Sequence, residues 1–514
     1  MNGAESLVKS LIASGVDTCF TNPGTSEMHF VAALDHVPGM RSVLCLFEGV
    51  ATGAADGYWR MARKPAITLL HLGPGLANGI ANLHNAKKAH SGVVNIVGEH
   101  AETHRKLDAP LMADIEGLSR PVSHWVHSSL SAADVGADGA SAVAAAQVEP
   151  GQIATLILPS DTAWTEGGSV HAAPAPADRP GVDAGELERA AAALDGPETL
   201  LLLGGLALTA ENLEKAGRIA ARTGCAILSE WSNARLERGA GRVVINRVPY
   251  PIDQALGVLK PYKRVVLVGA RAPIGFFAYP GKPAVLTAEG AEIQALAGAG
   301  DDLSGALDGL VEATGAAGSA PRGIAERKHV ARPSGKADAV TIAQALAATI
   351  PDNAIVVDES ITTGRAFFPA TAGAAPHTWL NNCGGSIGYS LPVAIGCAVA
   401  CPDRKVLALV GDGSAMYTIQ SLWTMAREGL DVTVLVLANR TYQILRGELT
   451  NVGVQNPGPR AIDMLSLDRP ALDFVAMAQG MGVTAVRVEE AGALVDAIEA
   501  ALASGGPNLI EVVV

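Results

Sequence analysis

The residues best suited to chemistry lie in two short polar segments that follow apolar runs in the last quarter of the chain. Gly411-Asp412-Gly413-Ser414 follows the run 406–410, and Asn439 follows the run 432–437. Carboxylate, amide and carbonyl oxygens are hard ligands that suit Mg²⁺, which also keeps water or phosphate oxygens in its shell. Glycines and a following helix N-terminus favour a bound phosphate. The pattern predicts a site for Mg²⁺ and a diphosphate, although spacing alone leaves open an ordinary loop aspartate.

The elements that must position these residues form a strand–helix–strand unit. The runs 406–410 and 432–437 have the length and composition of buried strands, and 418–427 has apolar residues at near-helical spacing. A right-handed crossover makes the two strands parallel, so both end at the same edge of the sheet. Because open α/β sheets bind ligands at that edge, we expect Asp412 and Asn439 to meet there.

The same alternation of short apolar runs and helical segments recurs along the whole chain, which predicts an α/β fold with parallel sheets. At 514 residues the chain is too long for one core. Segments rich in Ala, Pro, Gly and Asp near 173–181 and 315–336 read as linkers. We therefore predict three domains, at 1–170, 180–330 and 338–514. Strands expected in the second domain are 200–203, 226–228, 264–268 and 284–286.

Composition narrows the classes of function. The net charge of −13 argues against binding nucleic acid or an anionic membrane surface, because both need basic faces. No uninterrupted apolar stretch of 18 residues suggests a membrane span. The six cysteines form no CxxC pair, and no secretory leader is evident, so we expect reduced thiols in a cytoplasmic protein.

Three further candidates follow apolar runs in the first domain. Glu48 ends the run 43–47, His71 ends the run 66–70, and Thr25 lies in the turn Asn22-Pro23-Gly24-Thr25. A carboxylate and an imidazole at strand ends can hold or transfer protons. From the residues alone, a helix N-terminal Glu and a structural His are the more common interpretations of such positions.

Taken in order, these segments resemble the thiamine diphosphate (ThDP)-dependent 2-oxo acid decarboxylase and carboligase family, which includes benzoylformate decarboxylases and acetolactate synthases. The segment 47–58 (FEGVATGAADGY) is similar to the signature of the family's pyrimidine-binding domain, and GDGS followed by Asn439 is similar to its metal motif. The resemblance implies three doubly wound parallel-sheet domains: pyrimidine-binding, central and diphosphate-binding. Ala438 replaces the first Asn of the family's usual Asn pair.

The resemblance also implies roles for individual residues. Glu48 would hydrogen-bond a pyrimidine nitrogen, His71 would contact substrate and relay protons, and Thr25 would contact substrate. Asp412, Asn439 and the carbonyl of Thr441 would hold Mg²⁺. The Gly385 carbonyl would receive the cofactor's 4′-amino group, and Ile387 would support its bent shape. The other cofactor-binding positions implied are Ile361, Thr362, Gly411, Gly413, Ser414, Thr441 and Tyr442.

The activity implied is decarboxylation of a small 2-oxo acid followed by carboligation, as in acetolactate synthases. One alternative is a non-ligating decarboxylase like benzoylformate decarboxylase. That enzyme type carries a second active-site His where this chain has Phe276-Phe277-Ala278-Tyr279. Another alternative, of a different class, is a ThDP-binding subunit with little catalysis of its own. FAD, which acetolactate synthases bind in the central domain, stays open but is not favoured, because Gly269-Ala270-Arg271 does not continue as a flavin motif. A homodimer or homotetramer with active sites at the subunit interface is implied.

Overall fold

The first part of the chain forms a sheet of six parallel strands. The structure, a computed structural model, describes residues 1–514. The strands are β1 Thr18–Asn22, β2 Arg41–Leu44, β3 Ala66–Leu70, β4 Val93–Glu99, β5 Trp125–Ser128 and β6 Ile153–Pro159. The helices are α1 Gly3–Ala13, α2 Met28–His36, α3 Glu48–Ala62, α4 Leu72–Lys88, α5 Glu102–Arg105, α6 Ile115–Ser119, α7 Val135–Ala146 and α8 Ser160–Trp164. The strand order is β2-β1-β3-β4-β6-β5.

The central part forms a second parallel sheet. Its elements are α9 Ala184–Ala193, β7 Thr199–Leu203, α10 Ala210–Thr223, β8 Ala226–Ser229, β9 Leu236–Arg238, β10 Asn246–Arg247, α11 Ile252–Leu259, β11 Arg264–Val268, β12 Glu292–Ala297 and α12 Leu303–Ala313. Five of these strands pair in the order β10-β8-β7-β11-β12. The prediction of a strand at 284–286 is wrong, since Val285 makes only an isolated bridge to Ile274. Strand β12 lies at one edge of this sheet and was not predicted. Its residues are partly polar and half-exposed, so they form no continuous apolar run.

The last part forms a seven-stranded sheet. Its strands are β13 Ala354–Glu359, β14 His377–Asn381, β15 Val406–Gly411, β16 Val432–Ala438, β17 Thr484–Val488 and β18 Asn508–Val513. Its helices are α13 Ala339–Thr349, α14 Phe367–Ala370, α15 Ser390–Ala400, α16 Asp412–Ala415, α17 Ser421–Glu428, α18 Gln443–Asn451, α19 Pro459–Asp463, α20 Phe474–Gly480 and α21 Ala491–Ser504. The order is β17-β18-β16-β15-β13-β14-β9. Strand β9, which comes from the central part, pairs antiparallel with β14, so this sheet is not purely parallel.

Each sheet has a point at which the strand order reverses. The reversal lies between β1 and β3 in the first sheet, between β7 and β11 in the second, and between β13 and β15 in the third. Neighbouring loops turn away from each other at such a point and leave a crevice at the carboxyl ends of the strands. Thr25 and His71 follow the two strands that flank the first crevice, and Ile361 and Asp412 follow the two that flank the third.

The first and third parts share one core across the helix pair α3 and α15. A Cβ at Gly57 would lie 2.1 Å from the carbonyl oxygen of Val393, and one at Gly396 would lie 1.9 Å from that of Ala54. The two helices therefore touch through their backbones. Beside this crossing, Arg60 donates two hydrogen bonds to Asp56, each of 2.8 Å, and both side chains are almost fully buried. None of the helices combines the length with the apolar composition that a membrane-spanning helix requires.

Candidate active site

The two polar segments that follow β15 and β16 lie side by side at the carboxyl edge of the third sheet. Strand β15 ends at Gly411, and Asp412 opens the short helix α16 with its carboxylate buried. One carboxylate oxygen accepts the N–H of Gly413 at 2.8 Å, and the other accepts the N–H of Arg440 at 2.5 Å. The Oδ1 atom of Asn439 accepts the N–H of Thr441 at 3.0 Å. Strand pairing of β15 with β16 is what joins residues so distant in sequence.

The donors at this edge fit Mg²⁺ better than a softer metal. Burial raises the pKa of Asp412, although N–H groups of Gly413 and Arg440 oppose that shift, so a cation beside the carboxylate would offset its lost hydration. The chain has no cluster of three His, Cys, Asp or Glu side chains able to hold a metal. An ion at this edge would depend on one carboxylate, the oxygens of Asn439 and Thr441, and phosphate or water oxygens. That is a ligand set Mg²⁺ accepts.

Close packing explains two of the cofactor-binding candidates. A Cβ at Gly413 would lie 2.4 Å from the ring of Tyr442, so any larger residue there would force that ring to move. Thr441 and Tyr442 are held against Leu465, whose carbonyl accepts the Thr441 hydroxyl at 2.7 Å and the Tyr442 N–H at 2.9 Å. Gly411 has no neighbour within 4 Å of its Cβ position, and Ser414 is buried in the same turn. The turn thus leaves free space next to Asp412.

Left-handed backbone at three non-glycine residues flanks the candidate site. Leu72 follows His71 with φ +46°, Ile361 follows β13 with φ +48°, and Arg440 follows Asn439 with φ +56°. A β-branched residue such as Ile361 rarely adopts this conformation. Such strain costs on the order of 1–3 kcal/mol per residue and concentrates at binding sites. Thr362, the next candidate after Ile361, is half-buried and begins a 3₁₀ turn.

The loop 384–388, which includes Gly385 and Ile387, contacts residues of both the first and the central part of the chain. Gly385 has φ +79°, and a Cβ there would lie 2.7 Å from the ring of Phe276 in the central part. Asn85 of α4 donates to the Ser386 carbonyl at 2.8 Å and accepts the Ser386 N–H at 3.1 Å. Ile387 is half-buried. The loop therefore has little freedom to move.

Glu359, which the sequence analysis overlooked, holds the end of this loop. Its two carboxylate oxygens accept the backbone N–H groups of Gly388, Tyr389 and Ser390 at 2.8 to 3.2 Å. Burial raises the pKa of Glu359 to about 7, against the opposing effect of these hydrogen bonds. An acidic residue at the end of a strand, as in Val356-Val357-Asp358-Glu359, was the available signal.

Glu48 lies at the first position of α3 with only 7% of its surface exposed. Its Oε2 atom accepts a hydrogen bond of 3.0 Å from the Asn78 side chain. One turn further along α4, the Asn82 amide donates to the carbonyls of Gly49 at 2.8 Å and of Gly388 at 3.3 Å. These bonds bring the Glu48 end of α3 and the loop 384–388 close together within one chain.

The His71 imidazole at the end of β3 lies against two polar side chains of the turn after β1. Its Nδ1 atom lies 2.9 Å from the Glu27 carboxylate and 3.5 Å from the Ser26 hydroxyl. Glu27 is buried, and Gly98 leaves room for it, since a Cβ there would lie 1.7 Å from Glu27 Oε1. Thr25 is exposed on the same turn, and the structure gives it no hydrogen bond to the imidazole. Glu27 was not predicted from sequence, although a Glu three residues after Gly24 is the spacing at which a side chain accepts the N–H that opens a helical turn.

The segment Phe276-Phe277-Ala278-Tyr279 of the central part contacts both the loop 384–388 and helix α18. Phe276 packs on Trp231, Tyr250 and Phe277 with ring centroids 4.7 to 5.5 Å apart. The Tyr279 hydroxyl donates a 2.6 Å hydrogen bond to Glu448 of α18. Helix α18 has no buried residue of its own, so this hydrogen bond helps to hold it against the central part.

Comparison with known proteins gives concordant matches. The N-terminal TPP binding domain of thiamine pyrophosphate enzymes matches residues 1–127, and the C-terminal TPP binding domain matches residues 365–512. The chain is 50% identical to the Mycobacterium tuberculosis protein named "Putative acetolactate synthase large subunit IlvX", over 100% of this chain and 99% of that protein. It is 30% identical to benzoylformate decarboxylase of Pseudomonas aeruginosa, over 97% and 96% of the two chains.

The fold agrees with a solved structure of the same kind. The thiamine diphosphate-dependent 4-hydroxybenzoylformate decarboxylase of Rhodococcus jostii RHA1 superposes with a TM-score of 0.84 at 24% identity, covering 99% of this chain and 98% of that one. At this identity the match supports the α/β architecture built on three sheets and nothing finer.

Proposed function

This chain belongs to the thiamine pyrophosphate (thiamine diphosphate) enzyme family, and we propose on that basis that it is a Mg²⁺-dependent, acetolactate synthase-like enzyme acting on a small 2-oxo acid. The observation that best supports the ligating activity is Phe276 beside Gly385, in the loop where a purely decarboxylating enzyme type has its second histidine. The name of the relative at 50% identity points in the same direction.

The proposed roles belong to residues at the carboxyl edges of the third and the first sheets. Asp412, Asn439 and the Thr441 carbonyl would hold Mg²⁺ and through it the diphosphate, and the loop carrying Gly385 and Ile387 would hold the ring system. When bound, thiamine diphosphate supplies the electron sink for loss of CO₂. Glu48 would share a proton with the pyrimidine nitrogen.

At the carboxyl edge of the first sheet, His71 would deliver or accept a proton at the substrate oxygen, and Glu27 would hold the imidazole in place. The exposed Thr25 hydroxyl would contact the substrate. Exclusion of water would favour carboligation over simple decarboxylation. A proton from solvent would release the decarboxylated substrate as an aldehyde before it could add to a second carbonyl. The apolar rings of Phe276 and Phe277 suit that exclusion.

A non-ligating decarboxylase is the second candidate. The His71–Glu27 pair favours it, because that pair can supply the proton that ends the reaction at an aldehyde. The 30% identical benzoylformate decarboxylase supports the same activity. The Glu448 carboxylate near the loop 276–279 argues against a pocket built for an aryl group alone, because burying it beside an aromatic ring would cost free energy.

A product assay separates the two activities. The purified chain is incubated with ThDP, Mg²⁺ and pyruvate, and acetolactate and acetaldehyde are both quantified. A panel of 2-oxo acids that includes benzoylformate is then run in the same way. Acetolactate as the main product supports the proposal, and aldehyde alone supports the decarboxylase. Binding of ThDP with no turnover on any acid would support the third candidate, a cofactor-binding subunit.

We also propose that a second copy of the chain completes the site, in a homodimer or homotetramer of the cytoplasm. Large apolar side chains beside the candidate residues are exposed in the single chain: Leu46 near Glu48, and Met416 and Tyr417 after the Asp412 turn. Exposed large apolar side chains such as these suit burial in a protein interface.

A further inference from the structure

Strand β13 ends in two consecutive carboxylates, Asp358 and Glu359, whose side chains point to opposite faces of the strand. Glu359 accepts N–H groups at the start of α15. Asp358 is half-buried and lies opposite Asn381 of the neighbouring strand β14. The segment 360–368 follows directly and carries Ile361 and Thr362, two of the candidate cofactor-binding residues. Asp358 therefore adjoins the candidate site, although no role has been assigned to it.

The Asp358 carboxylate holds the first residue of the segment 360–368. Its Oδ1 atom accepts the backbone N–H of Ser360 at 3.0 Å and also accepts the Ser360 hydroxyl. An aspartate that accepts from the residue two positions later favours a turn of the chain. The next residue is Ile361, whose φ of +48° is rarely adopted by a β-branched residue. The hydrogen bonds to Asp358 thus stabilise the residue that precedes the strained position.

The other oxygen of Asp358 connects the segment to the central part of the chain. Oδ2 accepts Nε1–H of Trp379 at 3.2 Å and the side-chain amide of Asn381 at 3.4 Å. Asn381 in turn accepts a 2.9 Å hydrogen bond from the guanidinium of Arg247, in β10 of the central part. A continuous series of hydrogen bonds therefore runs from Arg247 through Asn381 and Asp358 to Ser360.

Two arginines of the central part also hold the other end of the segment 360–368. The guanidinium groups of Arg238 and Arg247 lie over the ring of Phe368, with Cζ atoms 3.8 and 4.1 Å from the ring centroid. Arg238 also donates to the Phe368 carbonyl, and to the Thr371 hydroxyl at 2.6 Å. The segment is therefore held at its first residue through an aspartate and at its last by two arginines.

Asp358 supplies negative charge to both arginines. Burial lowers the pKa of Arg238 to about 9, and the nearby charge of Arg247 lowers it further, whereas Asp358 opposes the shift. Burial also lowers the pKa of Arg247, again opposed by Asp358. Arg238 stacks on Trp379 with its Cζ atom 5.2 Å from the ring centroid, and Trp379 donates to Asp358. Removal of this carboxylate would leave two buried positive charges without their counter-charge, which strongly disfavours the present arrangement.

We propose that Asp358 is a positioning residue for Ile361 and Thr362, and that Arg247 of the central part acts through it. The pair holds Ile361 in its left-handed conformation in the free chain, so that binding of the diphosphate does not have to impose that conformation. The central part thereby contributes to cofactor affinity from outside the cofactor site. The inference rests on the proposed function, because Ile361 and Thr362 are cofactor-binding positions only in a ThDP enzyme.

Calorimetric titration of the cofactor-free full chain with ThDP, at saturating Mg²⁺, tests the proposal. We expect Asp358→Ala to raise the Kd about tenfold, because the left-handed conformation is then less populated. Asp358→Asn keeps an oxygen for Ser360 but loses the charge, and Arg247→Met loses the bond to Asn381, so each should raise the Kd about threefold.

A matched control and a second background separate positioning from general stability. Asp431→Asn removes a half-buried carboxylate, paired with Lys405, from the amino end of the same sheet, and should leave the Kd unchanged. Glycine adopts positive φ without strain, so in an Ile361→Gly background Asp358→Ala should raise the Kd less than about twofold. At saturating ThDP the Asp358 and Arg247 single variants should regain the kcat and KM of the unmodified chain, because only occupancy of the site is lowered.

An unchanged Kd in Asp358→Ala would overturn the proposal, because the aspartate would then only stabilise the fold. If that variant does not fold, unchanged Kd values in Asp358→Asn and Arg247→Met would overturn it equally. So would a Kd raised to the same extent in Asp431→Asn, or a full effect of Asp358→Ala in the Ile361→Gly background. Failure of the unmodified chain to bind ThDP would instead overturn the proposed function, and this inference with it.

Discussion

The Nδ1 atom of His71 lies 2.9 Å from the carboxylate of Glu27, which is buried and also accepts the N–H of Gly24. A carboxylate accepts only, so it selects the imidazole tautomer with the proton on Nδ1, and in the proposed mechanism Nε2 is then the nitrogen that faces the substrate. Because β1 and β3 are neighbours at the reversal point of the first sheet, this pair faces the crevice. Glu27 is therefore a positioning residue in the proposed mechanism.

We expect Glu27→Gln to lower kcat by about 10- to 100-fold and His71→Ala by about 10²- to 10³-fold, because proton transfer from a positioned group contributes that much. The KM and the affinity for ThDP should change little. Glu102→Gln, an exposed carboxylate of the same domain, is the control. The measurement is steady-state kinetics of both products. A Glu27→Gln enzyme with normal kcat but a lowered melting temperature would show that Glu27 only closes the turn at Gly24.

Glu48→Gln should abolish most turnover while leaving ThDP bound. The amide cannot share a proton with the pyrimidine, so we expect kcat to fall by about 10²- to 10⁴-fold. Proton exchange at the reactive carbon of bound ThDP, followed by NMR, should slow in parallel, while stabilisation of the fold by ThDP and Mg²⁺ persists. Glu211→Gln is the matched control, being an exposed helix N-terminal Glu. Equal turnover in the Glu48→Gln and unmodified chains would favour a cofactor-binding subunit.

Mixing two inactive variants tests whether a second copy completes the site. If Glu48 of one chain works with Asp412 of another, a dimer of one Glu48→Gln chain and one Asp412→Asn chain has one intact site. Random re-association of equal amounts should then restore about a quarter of the unmodified activity, since the two chains of a C₂ dimer exchange equivalent surfaces. If each site belongs to one chain, mixing restores nothing. Mixing either variant with itself is the control.

The buried Glu359 predicts a pH dependence of stability. Its pKa of about 7 in the folded chain is above the ordinary value of 4.5, because burial disfavours the charged form. The folded state therefore holds the proton more tightly, so this stabilisation is complete below pH 4.5 and is lost as the pH rises through 7. Relative to Glu359→Gln, the unmodified chain should lose on the order of 3 kcal/mol of unfolding free energy over that interval.

Chemical denaturation at a series of pH values measures this difference. Only the change with pH is compared, because replacing a carboxylate that accepts three backbone N–H groups also has a constant cost. The exposed Glu489→Gln is the control in the same domain. Parallel curves for the unmodified and Glu359→Gln chains would show that the carboxyl group titrates normally in the folded state.

The α/β architecture and the meeting of Asp412 with Asn439 could be predicted from sequence, because buried parallel strands are continuous apolar runs and their carboxyl ends share an edge. Edge strand β12 could not, since its polar residues break the run. Strand β9 could not either, because its pairing with β14 joins residues from separate parts of the chain. Glu27 and Glu359 were missed for one reason: their importance comes from the groups they accept hydrogen bonds from.

The backbone contact between α3 and α15 has one more consequence. At Gly57 and Gly396 the two helices meet without any side chain between them, so no rotamer there can adjust to absorb a displacement. The separation of Glu48 from the loop at Gly388 is then fixed by main-chain geometry two to three turns away. A single added methyl group at either glycine would therefore displace the Glu48 end of α3 relative to the loop at Gly388 of the same chain, without touching either one.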